Sequence, residues 1–170
     1  MVGALATGTT VKGGTGTDTL RVAQATTAAN LTVEGVETLR MSSGGNTGTL
    51  AFATAPSFTT LRVDGDAAEA GINTLTNLGN TVATINFVGD SLTANAAGGQ
   101  QFNNVVINNS YTGTADSVAI NIGNGGVANG GGYALTTGLT INGAETLNVK
   151  VADHAAALTT ALGLITDNAL

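Results

Sequence analysis

Leu31-Thr32-Val33-Glu34-Gly35-Val36-Glu37-Thr38-Leu39-Arg40-Met41 returns as Leu139-Thr140-Ile141-Asn142-Gly143-Ala144-Glu145-Thr146-Leu147-Asn148-Val149, with six identities and three apolar-for-apolar exchanges. On each side of the glycine the chain is apolar at every second residue, the period of a strand with one buried face. The glycine, with a glutamate two residues after it, marks a corner between the two runs. One such unit cannot bury its apolar face alone and must stack on copies of itself. The phrase therefore predicts an all-β, repeating architecture.

Tetrads of one form recur along the chain. They are Thr19-Leu20-Arg21-Val22, Thr38-Leu39-Arg40-Met41, Thr60-Leu61-Arg62-Val63, Thr84-Ile85-Asn86-Phe87, Ala119-Ile120-Asn121-Ile122 and Thr146-Leu147-Asn148-Val149. The first four central aliphatics, Leu20, Leu39, Leu61 and Ile85, lie 19, 22 and 24 residues apart. That is the length of one coil of a β-solenoid, a parallel β-helix or β-roll. The 108 residues between the two copies of the phrase would hold five coils of about 20 residues.

The strand period sends the aliphatic and the last residue of each tetrad inward, and Thr with Arg or Asn outward. Stacked in register, Thr19, Thr38 and Thr60 form one exposed column. Arg21, Arg40 and Arg62 form another, which becomes Asn86, Asn121 and Asn148. Stacked asparagines hydrogen-bond along the axis, whereas stacked arginines repel unless carboxylates or a partner lie between them. Two readings of the arginines follow: solvated charges with acidic neighbours, or a binding stripe.

The composition fits a thin core. Charged residues are 9% and aromatics 4%, with 25 glycines and the single Pro56. At 42% apolar and a mean hydropathy of +0.25 the chain is too hydrophobic for a disordered linker. Eleven carboxylates outweigh Lys12, Arg21, Arg40, Arg62 and Lys150, leaving a net charge of -6. That balance argues against nucleic acid and anionic membrane as partners and makes Ca²⁺ the first cationic candidate. The lack of cysteine is compatible with a secreted bacterial protein that does without disulfides. No stretch approaches the roughly 20 apolar residues of a membrane span, so a soluble chain without membrane insertion is expected. Met1 to Leu5 lacks the charged and apolar regions of a signal peptide, which leaves export by another signal or an excised segment.

Two places carry candidate metal ligands. Gly13-Gly14-Thr15-Gly16-Thr17-Asp18-Thr19-Leu20-Arg21 matches the nine-residue pattern of glycine-rich calcium β-rolls. Tight turns at Gly14 and Gly16 would aim carbonyls, together with the Asp18 carboxylate, at a hard cation. A glycine-rich turn opening a strand explains the same residues. Asp64-Gly65-Asp66 with Glu69 is the densest acidic cluster and has D-x-D spacing, so Asp64, Asp66 and Glu69 are the second candidate set. Exposed turn carboxylates are the alternative there; Asp90 and Asp116 are weaker candidates. Asp18, Glu37 and Glu145 each stand two residues before a core aliphatic, facing inward or at a corner. Such a carboxylate must be paired, hydrogen-bonded to turn amides, or bound to metal.

Residues 1–152 are expected to form the solenoid. Long Asn- and Gly-rich turns fill 95–138, where Val105 to Ile107 and Val118 to Ile122 read as strands of undetermined coil phase. From Asp153, which can cap a helix, the period changes. A short amphipathic helix is predicted from about His154 to Ile165, with Leu158, Leu162 and Ile165 on one face, so that 153–170 caps the open strand edges of the same domain.

Gly13 to Leu20, the paired phrases around Gly35 and Gly143, and the Thr/Asn/Gly/Ala-rich filling resemble Gram-negative bacterial S-layer proteins and related type I-secreted surface proteins. The resemblance covers most of residues 10–150 and rests on composition and short motifs. It implies an extracellular, calcium-assisted β-solenoid at the bacterial cell surface. Such a module assembles into a lattice or filament or adheres to a surface, cell-surface polysaccharide included, with export directed from a C-terminal signal. A single glycine-rich nonapeptide departs from that pattern and points to a segment of a larger chain. The functional expectation is a structural, self-assembling surface module that is not an enzyme. The alternative is a polysaccharide-binding or polysaccharide-lyase β-helix, with Arg40 or Arg62 beside Asp64 and Asp66. Against the lyase stand the lack of Trp, the few aromatics and a single histidine. Ice binding ranks last, because the Thr columns alternate with Arg or Asn.

Overall fold

The computed structural model describes residues 5–42, 47–65, 71–89, 100–102, 104–108, 111, 113, 115–123, 133–135, 138–151, 160–162 and 165–167. Within them the chain forms β strands and no helix. The first coils hold two strands each: β1 (Thr10–Lys12), β2 (Thr19–Ala23), β3 (Ala28–Glu34), β4 (Thr38–Ser42), β5 (Gly48–Phe52), β6 (Thr60–Gly65) and β7 (Ile72–Thr76). From β8 (Thr84–Gly89) onward each coil gains a third. β9 (Gln100–Gln101) and β10 (Asn104–Asn108) complete one coil; β11 (Ser117–Gly123), β12 (Tyr133–Leu135) and β13 (Leu139–Ile141) make the next. β14 (Thr146–Val151), β15 (Thr160–Leu162) and β16 (Ile165–Asp167) make the last.

All pairings are parallel, and strands pair with the next coil rather than with their chain neighbours. The order β14-β11-β8-β6-β4-β2 makes a six-stranded sheet. β1-β3-β5-β7-β10-β13-β16 makes a seven-stranded one, and β15-β12-β9 a small third sheet. This is the ladder of a β-solenoid, in which each coil supplies one strand to each face.

In the six-stranded sheet Leu20, Leu39, Leu61, Ile85, Ile120 and Val149 fall in one register column. Val22, Met41, Val63, Phe87, Ile122 and Val151 fall in the column beside it. From Leu20 through Ile122 these residues are buried, as their alternation with polar neighbours requires. Leu50, Leu75, Ile107 and Ile141 line the opposite wall from the seven-stranded sheet. Edge-to-face pairs Phe52–Phe58 and Phe87–Phe102 fill the corners between the walls, with ring centroids 5.7 and 5.4 Å apart.

Three expectations change. Coils of about 20 residues hold only up to Ile85; the register then advances 35 residues to Ile120 and 29 to Val149, because each later coil accommodates a third strand. The two copies of the phrase, on β3–β4 and β13–β14, are thus four coils apart rather than five. Ile107 and Ile120, too close in sequence to be one turn apart, belong to different sheets.

The second change is a two-residue shift at the last strand. Val118 pairs with Leu147 and Asn121 with Lys150, so Asn148 leaves the Arg/Asn column and stands beside Ala119. β11 is long enough, with Val118 and Ile120 both buried, to accept either alignment by pattern alone.

The third concerns the C-terminal helix. Thr160–Leu162 pairs in parallel with β12, and Ile165–Asp167 with β13. The open edges of those strands offer a full set of backbone partners, and Thr160, Ile165 and Thr166 favour the pleat over a helix. Strand addition therefore wins over the helical spacing of Leu158, Leu162 and Ile165. Asp153 and His154 lie outside the described residues.

Candidate functional site

The glycine of each repeated phrase turns the chain from the seven-stranded to the six-stranded sheet. Gly35 and Gly143 take φ of 61° and 100°, a region costly to residues with a Cβ. At Gly143 a Cβ would also run into the Tyr111 carbonyl of the coil below. After the corner comes the glutamate. Glu37 Oε2 accepts the Asp18 amide at 2.7 Å, and Glu145 Oε2 accepts the Asp116 amide at 2.6 Å. In return the Asp18 carbonyl accepts from the amides of Glu37 and Thr38, and the Asp116 carbonyl from those of Glu145 and Thr146. The repeated glutamate is therefore a clamp on the preceding coil. Asp116, a weak candidate from sequence, is the structural counterpart of Asp18.

The two aspartates differ in what their side chains find. Asp116 Oδ2 accepts the amide of Gly113 at 2.8 Å, closing a short loop. Asp18 follows the longer glycine loop, where Gly14 and Gly16 hold φ of 115° and 117°. A Cβ at either glycine would meet nothing within 4 Å, so positive φ and not crowding selects glycine there. Asp18 Oδ2 is buried and has no hydrogen-bond partner among the described residues. A buried carboxylate oxygen without a donor is costly unless a cation or proton satisfies it.

The second candidate set is arranged differently. Asp64, at the end of β6, is 5% exposed. Its Oδ2 accepts from Arg40 Nε at 2.7 Å and its Oδ1 from Arg62 Nε at 2.6 Å. The carboxylate thus lies between two arginines of adjacent coils and relieves the repulsion expected of stacked guanidiniums. A divalent ion at Asp64 would have to share the carboxylate with both. The Asp64 carbonyl accepts from Gln24 Nε2 at 2.7 Å, and Gln24 Oε1 accepts from Asn73 Nδ2 at 3.1 Å. All three residues are buried. This network ties β6 and β7 to the corner after β2, and sequence periodicity had no means of finding it. Asp66, Glu69 and Asp90 lie outside the described residues. Among the described residues no group of three or more His, Cys, Asp or Glu side chains is placed to hold a metal ion.

Further along the same face, Asn121 Nδ2 donates to Asn86 Oδ1 at 2.9 Å, one step of the expected asparagine ladder. Asn148 instead donates to Ser117 Oγ at 3.2 Å. Asn86, Asn121 and Lys150 border a concavity of about 450 Å³ at the ends of β8, β11 and β14. No protein-family model, curated protein or solved structure matches this chain.

Proposed function

We propose that the chain is a structural, self-assembling module of an S-layer-like bacterial surface protein, extracellular and stabilised by Ca²⁺. The observation that carries this reading is the six-strand in-register ladder, which lines up Thr19, Thr38, Thr60 and Thr84 in one outward column and Arg21, Arg40, Arg62, Asn86, Asn121 and Lys150 in the next. Such a surface suits lateral contact with other solenoids. The resemblance of the Thr/Asn/Gly/Ala-rich coils to surface-layer proteins supplies the setting.

Calcium enters through Asp18. Its unpartnered Oδ2, the glycine loop before it and the Glu37 carboxylate at the same corner form a set of hard oxygen donors of the kind Ca²⁺ prefers. When bound there, the ion would neutralise the orphan oxygen and tie the loop to the first coils. Negative-stain electron microscopy of the purified protein tests the assembly. Sheets or filaments should appear with Ca²⁺ and disperse in EDTA; a monomer indifferent to both would refute it.

A further inference from the structure

We propose that the outer face of the six-stranded sheet binds a linear acidic polysaccharide lying along the solenoid axis, with Arg21, Arg40 and Arg62 as its anionic-group contacts. The register sets Arg21, Arg40, Arg62, Asn86, Asn121 and Lys150 in one row across β2, β4, β6, β8, β11 and β14. At strand spacing the row is about 24 Å long and consists entirely of hydrogen-bond donors. Three of the five basic residues in a chain of net charge -6 are adjacent in it, and a fourth closes its far end.

The arginines are held ready for a ligand. Asp64 engages Arg40 and Arg62 through Nε, and neither side chain has another hydrogen-bond or ion-pair partner among the described residues. Their side chains are 34% and 36% exposed. Gripping Nε fixes each planar fork while leaving its terminal N–H groups for a carboxylate or sulfate. The Arg21 side chain is exposed and makes no hydrogen bond or ion pair among the described residues. Among the described residues one carboxylate, Asp64, stands against the three guanidiniums of this row.

The geometry selects the polymer. Adjacent arginines repeat at about 4.8 Å, whereas like-facing side chains of an extended acidic peptide repeat at about 6.8 Å. A peptide laid along the row would therefore fall out of step with it, which leaves an acidic sugar chain as the linear polyanion for this face. The parallel column of Thr19, Thr38, Thr60 and Thr84, two residues upstream on each strand, offers hydroxyls to its ring oxygens and hydroxyl groups. Nucleic acid fits poorly, since no aromatic side chain stands in these columns to stack a base.

Affinity electrophoresis tests this independently of calcium or assembly when run in EDTA. Gels contain polygalacturonate, dextran sulfate, neutral dextran or single-stranded DNA. The wild-type protein should be retarded by polygalacturonate or dextran sulfate, the stronger of the two identifying carboxylate or sulfate as the preferred group. Retardation should fall with added salt and be absent in neutral dextran. Arg21→Glu, at an exposed and unpaired position, should keep the wild-type melting temperature and bind at least tenfold more weakly; Arg21→Lys should bind between the two. No retardation by either acidic polymer, equal retardation of Arg21→Glu, or equal retardation by DNA or neutral dextran would each overturn the proposal.

Discussion

At Glu37 and Glu145 a single side chain decides how one coil sits on the next. Each carboxylate accepts a main-chain amide from the coil before it, at a corner where no strand ladder can. Truncating the clamp leaves that amide without its charged acceptor. Glu37→Ala should therefore destabilise the fold by about 1.5–3 kcal/mol, and Glu37→Gln, which retains an acceptor oxygen, by clearly less. Urea denaturation measures both, and equal effects would show that the charge, not the acceptor, matters. This role was partly legible: the position of Glu37 and Glu145, two residues before a core leucine, already restricted them to a corner or a paired site. The identity of the partner was not, because a backbone amide 19 or 29 residues away leaves no mark in the sequence.

The elements were legible wherever a strand alternates on its own. Thr38-Leu39-Arg40-Met41 and its neighbours specify which side faces inward, and the arginine column followed from the same pattern; that the buried Asp64 bridges Arg40 and Arg62 did not. What alternation cannot specify is register on a long strand. β11 has apolar residues at 118, 120 and 122, so β14 can pair two residues off without turning any side chain to the wrong face. The end strand also differs from the others in burial. Ile120 is fully buried, while Val149, its register partner, is 44% exposed. Ile120→Ala should cost about 2–5 kcal/mol, as for core aliphatics, and Val149→Ala within about 0.5 kcal/mol, as at surface sites. Comparable losses would mean that β14 is covered and its column continues.

At the scale of the whole molecule the solenoid is a stack of short two-strand coils followed by longer three-strand ones. The sequence period revealed the short coils, since there the tetrads follow one another with little between them. It failed beyond Ile85, where a third strand and Asn- and Gly-rich turns dilute the repeat, and at Thr160–Leu162, where open strand edges override a helical spacing. The same stack sets two equivalent acidic corners four coils apart: Asp116 is satisfied by its own loop, and Asp18 keeps an orphan buried oxygen. Ca²⁺ is proposed at Asp18 on the strength of this difference, since of the two corners that one leaves a carboxylate oxygen unsatisfied.

Thermal unfolding with Ca²⁺ and with EDTA, applied to the wild type, Asp18→Asn and Asp116→Asn, tests that claim most directly. Binding to the folded state alone at a hundredfold excess over the dissociation constant contributes about 2.7 kcal/mol, or roughly 5–10 °C for a chain of this size. The wild type and Asp116→Asn should show that rise and Asp18→Asn should lose it; no shift in the wild type, or an undiminished shift in Asp18→Asn, would contradict the account.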